Sequence, residues 1–122
     1  MNPNNYCTLS AAQRLHEAGI VMKTDFTWGC QVNKDGSKRW TIQPIDCHFV
    51  NTEPEYPAPS MAEVWRELKT SNVSIVNDSG LSYAKITAAS GRLVYKSECG
   101  LNPTDALIDL LIWVRKEKAN ER

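Results

Sequence analysis

A chain of 122 residues, 42% hydrophobic and 23% charged, has the length and the apolar content to close one core without metal or disulfide staples, so a single domain over residues 1–122 is expected. Fourteen basic and fourteen acidic side chains cancel. No global charge therefore steers the molecule to nucleic acid or an anionic membrane, and such binding would have to be local.

The opening MNPNNYCTLS lacks the basic region and apolar run of a secretory leader, so a cytoplasmic protein is expected. In that compartment Cys7, Cys30, Cys47 and Cys99 are reduced thiols, and no two stand as C-x-x-C. If a leader precedes this sequence, two disulfides become available, in any of three pairings. TLSAAQRLHEA, from Thr8 to Ala18, predicts a first helix, with Thr8 or Ser10 as cap and Gly19 as stop. Its apolar stripe of Ala11, Ala12, Leu15 and Ala18 is narrow and mostly small, which suits close approach to another element.

From Asp25 to Gln43 the chain predicts a β-hairpin, and apolar alternation chooses its turn. A two-residue Asp35-Gly36 loop would set Trp28, Cys30 and Val32 on one face with Arg39, Thr41 and Gln43, wasting both sides. A three-residue loop, Lys34-Asp35-Gly36, with Gly36 left-handed, pairs Asn33 with Ser37, Cys30 with Trp40 and Trp28 with Ile42. Phe26, Trp28, Cys30, Val32, Trp40 and Ile42 then share one face, and Thr27, Gly29, Gln31, Arg39, Thr41 and Gln43 the other. This register is expected, with Lys38 opposite Val32 at the tip as its one misfit.

Pro44 limits the second strand, Ile45 to Val50 is read as a short edge strand, and the proline-rich stretch from Asn51 to Pro59 as an extended connector. Ser60 with Glu63 three residues on is a capping box. It opens a helix to Lys69 whose Met61, Val64, Trp65 and Leu68 make one buried face while Glu63, Arg66, Glu67 and Lys69 face water. NVSIVN, LSYAKITAA and RLVYKSE then predict an antiparallel meander with turns at Asp78-Ser79-Gly80 and Ser90-Gly91.

The last helix, Asn102 to Lys118, has Asn102 as cap, Pro103 at the first helical position, Asp105 in the first turn and Arg115, Lys116 and Lys118 in the last. At about 100° per residue, Leu107, Leu110, Leu111 and Val114 form a stripe that Ala106 and Trp113 widen on one side and Ile108 and Ile112 on the other. So broad an apolar surface needs cover from more than one direction. Ile108, Ile112 and Trp113 are the expected partner surface if the domain leaves them open, with a homodimer or another protein as the occupant. The run is too short and too charged at its ends to span a bilayer.

APSMAEVWRELK and NPTDALIDLLIWVRK resemble segments of short uncharacterised proteins from gut bacteria, often near prophage or mobile-element genes, as does YCTLSAAQRLHEAGI. The resemblance implies an accessory role in such an element and brings no activity or functional residue with it.

Chemistry-bearing constellations are sparse. Cys7, His16, Cys30, Cys47, His48 and Cys99 offer no local pair at metal-ligand spacing, so no metal or other cofactor is expected. Cys47 and His48 are neighbours, and neighbours on a strand point to opposite faces, which separates a thiol from its base. Asp105 and Asp109 lie one turn apart, and helix start and solvation account for both. No phosphate loop, nucleophile elbow or H-E-x-x-H is present in the sequence. A non-enzymatic α+β domain of order αββαβββα is expected, self-associating through its last helix. The alternative is a nucleic-acid-binding module using the basic hairpin tip of Lys34, Lys38 and Arg39, with Gln31 and Gln43 nearby. That reading is the weaker one, because Trp28 and Trp40 turn inward and Asp35 dilutes the charge.

Overall fold

The described residues form three helices and two separate antiparallel sheets, and the C-terminal helix packs on both other helices and on the second sheet. The computed structural model describes residues 6–44, 55–68, 72–98 and 100–120. Helix α1 (Leu9–Glu17) starts where Thr8 accepts a hydrogen bond from the Ala11 amide. It ends in a Schellman motif: Gly19 at φ +74 donates to the His16 carbonyl and Ile20 donates to Leu15. Ala11, Ala12 and Leu15 are buried and form the docked face, whereas Ala18, at the end of the same stripe, is exposed.

Strands β1 (Phe26–Val32) and β2 (Lys38–Pro44) form the expected hairpin. Cys30 faces Trp40, Trp28 faces Ile42 and Val32 faces Lys38. The Asn33 amide donates to the Ser37 carbonyl at 2.8 Å, the Gly36 amide to Asn33 at 3.0 Å, and Gly36 sits at φ +87. The three-residue loop and its left-handed glycine are thus present. The faces differ from expectation in burial: Thr27, Gly29 and Gln43, read as the outer side, are buried, and Val32, on the apolar face near the tip, is exposed. Thr27 is satisfied there, its hydroxyl donating to the Tyr56 carbonyl at 2.9 Å.

That carbonyl belongs to β3 (Tyr56–Pro57), which pairs antiparallel with β1 and completes a sheet of order β2-β1-β3. The proline-rich connector therefore contributes a strand, short enough for Pro57 to cost no ladder bond. The expected edge strand from Ile45 to Val50 lies outside the described residues, as do Cys47, His48, Cys99 and Lys69.

Helix α2 (Met61–Leu68) opens with the reciprocal capping box, Ser60 N–H to Glu63 Oε1 at 2.8 Å and Glu63 N–H to Ser60 Oγ at 3.2 Å. Glu63 does not face water: it is buried, because Oε2 also accepts from the Asp25 amide at 3.1 Å. Strands β4 (Val73–Asp78), β5 (Leu81–Thr87) and β6 (Leu93–Lys96) make the expected meander, a second sheet of order β4-β5-β6. The first turn needs only Ser79 and Gly80, both at positive φ. The second repeats the earlier loop, with Ala88 N–H to Arg92 O at 2.8 Å, Gly91 N–H to Ala88 O at 2.9 Å and Gly91 at φ +88.

Helix α3 (Pro103–Asn120) lies at the centre, touching α1, α2, β4 and β5. Asn102 Oδ1 accepts from the Thr104 amide at 2.8 Å and its Nδ2 donates to the Tyr6 carbonyl at 2.9 Å. Leu107, Ile108, Leu110 and Leu111 are completely enclosed, together with Val64 of α2 and Ala84 of β5. The molecule is a single small α+β domain.

Candidate protein-interaction surface

The helix residues expected to meet a partner are mostly used by the domain itself. Ile108 is fully buried, because α3 is covered by sheet and helices on several sides at once. Ile112 and Trp113 are half-buried against the core. The Trp113 ring stacks on Tyr95 of β6 with centroids 4.5 Å apart and planes 9° from parallel, which covers one of its faces. No continuous open stripe runs along the described part of α3.

The basic tip is exposed at Lys34, Lys38 and Arg39. Within the loop, Ser37 donates through both its amide and its hydroxyl to Asp35, and these hydrogen bonds hold the Asp35 carboxyl below its usual range. An anion sits inside the turn that would have to meet phosphate.

A different surface combines an apolar floor with unpaired backbone. An open groove of about 770 Å³ runs between α2 and β4, lined by Tyr6, Met61, Ala62, Trp65, Arg66 and Ile75. Trp65 belongs to the apolar stripe of α2 yet is 45% exposed. The stripe is wider than the surface α3 offers, so α2 buries Val64 and Leu68 and turns Trp65 into the groove.

Strand β4 forms one wall of that groove and an outer edge of its sheet. In an antiparallel ladder, a residue that directs its amide and carbonyl to one neighbour has none left for the other. Ser82 exchanges both backbone bonds with Gly100, at 2.7 and 2.9 Å, and Ala84 accepts from the Ser97 amide at 2.8 Å. Both therefore face away from β4. Their partners across the ladder, Asn77 and Ile75, face outward in turn, as does Val73 opposite Ile86. Among the described residues no strand pairs with this edge. The side chains of Val73 and Ile75 point to the core side, so an incoming strand would lie over the mouth of the groove.

The other outer strands carry the usual protections against such pairing. Strand β2 has Lys38, Arg39 and Pro44, β3 has two residues including Pro57, and β6 has four residues, Lys96 and a register shift at Ile86/Thr87. Strand β4, VSIVND, has no lysine, arginine or proline and pairs with β5 without a shift.

The ionisable groups serve the fold. Asp105 accepts from both the amide and the hydroxyl of Thr8, at 2.8 and 2.7 Å, and Asp109 lies 3.6 Å from Arg14 and accepts from the Tyr95 hydroxyl at 3.3 Å. Burial, with the Asp105 charge adding to it, pushes the Cys7 thiol up to about 12, far from a reactive thiolate. Burial and the Asp109 carboxylate raise the Tyr95 phenol in the same way. His16 packs edge-on against Tyr56 with centroids 5.5 Å apart. Among the described residues no three His, Cys, Asp or Glu side chains come together as metal ligands, and no helix is long and apolar enough to cross a membrane.

Only two parts of this surface are legible in the sequence: the apolar stripe containing Trp65, and the uncharged strand NVSIVN. Their juxtaposition with Tyr6 has no local signal. No known family, characterised protein or solved structure matches this chain.

Proposed function

We propose that this chain is a protein-interaction module rather than an enzyme, and that its partner binds as an extended strand along β4 with side chains in the α2 groove. The observation that carries the reading is the coincidence of an unguarded sheet edge with an exposed tryptophan beside it, the arrangement by which strand addition gains backbone hydrogen bonds and side-chain pockets together. The engagement of Glu63, Asp105 and Asp109 in capping and inter-helix contacts supports the non-enzymatic part. A cytoplasmic setting belongs to the proposal, supported by the buried free thiols of Cys7 and Cys30. An accessory role in a mobile element rests on the resemblance of the α1, α2 and α3 segments alone.

Selection of peptides from a random display library on the immobilised protein tests the reading. Extended peptides alternating apolar and polar residues should be enriched. Their binding should slow amide exchange at Val73, Ile75 and Asn77 and weaken about tenfold in Trp65→Ser, the loss of one well-placed apolar contact. Peptides that bind elsewhere, or no enrichment, would refute it.

A further inference from the structure

Resting on that reading, we infer that the partner strand is β4 of a second copy of this chain, giving a two-fold dimer with one continuous six-stranded sheet. The outward-facing residues are Val73, Ile75 and Asn77, an odd run centred on Ile75. Antiparallel pairing about that centre sets Ile75 against its own copy and Val73 against Asn77, so every outward amide and carbonyl meets a complement. Any antiparallel edge can meet its own copy in this way, so the fold permits an isologous interface here, and the choice of β4 rests on its charge and on the absence of the guards that the other outer strands carry.

Charge agrees with the pairing. The only charged residue of β4 is Asp78, and in this register it lies opposite Asn72 of the other copy rather than opposite itself. The chain carries no net charge, so two copies approach without long-range repulsion. The groove is adjacent to the two-fold axis through Ile75, so its exposed tryptophan and Met61 from each copy face a joint apolar seam. The contrast with β2, β3 and β6, each guarded by charge, proline, brevity or irregularity, marks β4 as the one described outer strand open to a copy of itself.

Sedimentation equilibrium of the full chain, from micromolar to near-millimolar concentration, tests the dimer, with Asn77→Pro as the edge-blocking variant. Proline removes an outward amide that β5 does not use, and the Asn77 side chain is exposed, so the variant should keep its circular dichroism and unfolding transition. The wild type should reach twice the 13.7 kDa chain mass, and the variant should associate at least about tenfold more weakly. Amide exchange on the wild type is a measurement that does not depend on the variant folding: protection at Val73, Ile75 and Asn77 should rise with protein concentration. A dimer that leaves those amides unprotected, or that Asn77→Pro does not weaken, overturns the inference. A protein that stays monomeric while display-selected peptides still protect the β4 amides overturns self-pairing and leaves the interaction reading standing. A monomer that binds no such peptide overturns both.

Discussion

Asn102, Thr8 and Asp105 show how single side chains hold distant chain segments together. Asn102 caps α3 and reaches the Tyr6 carbonyl, and Asp105 clamps Thr8 across 97 positions of sequence. Asn102→Ala should lower the free energy of unfolding in urea by about 1–2 kcal/mol, since it removes a cap and a tertiary bond. Gln43 is the opposite case. It is 5% exposed, and both polar atoms of its amide lack a hydrogen-bond partner among the described residues. Gln43→Met keeps the volume and removes that desolvation cost, so it should raise stability by about 1 kcal/mol. Cys7 sets a pH dependence. Its folded value of about 12 lies above the ordinary 9.0, so the folded state holds a proton that the unfolded state gives up. Its contribution is complete below pH 9 and is lost as pH climbs toward 12; Tyr95, also raised, acts in the same direction above its ordinary 10.0. Urea midpoints should fall as pH rises from about 9 toward about 12, and less steeply in Cys7→Ala.

Elements whose instructions are local were readable from the sequence. The register of β1 and β2 followed from alternation plus one glycine, the start of α2 from Ser60 and Glu63, and the stop of α1 from Gly19. Each signal lies within a few residues of what it specifies. Strand β3 was not readable as a strand, because two residues with a proline have no period to detect. The burial of Glu63 was equally hidden, since its second partner, Asp25, is 38 positions away. The Gly36 loop offers a clean measurement at this scale. A Cβ there meets nothing within 4 Å, so the cost of Gly36→Ala is that of the left-handed backbone alone. A loss of about 1–2 kcal/mol is expected, and a stability unchanged by the substitution would contradict the turn.

At the scale of the molecule, the faces of α3 divide among the β4-β5-β6 sheet and the two other helices. The sequence made its breadth visible without saying what covers it. Self-association was expected on α3; the enclosure of Ile108 and the stacking of Trp113 on Tyr95 leave the open apolar surface on α2 and the free backbone on β4 instead. What was illegible is the meeting of parts: Tyr6 is far from α2 and β4 in the chain, and although α2 and β4 follow one another closely, no pattern within any one of the three describes the groove they form.

The central position of α3 also sets the order in which this protein can be made. A ribosome delivers α3 after every element that packs on it, so the undersides of α1, α2 and β5 have no apolar partner until residues beyond Asn102 emerge. The bond from Thr8 to Asp105 closes almost the whole chain into one loop, and such distant contacts form late and together. Nascent chains arrested before Asn102 should therefore bind hydrophobic dyes and recruit chaperones, whereas chains released past Val114 should not. For this fold, the emergence of α3 is the step that commits the elements before it.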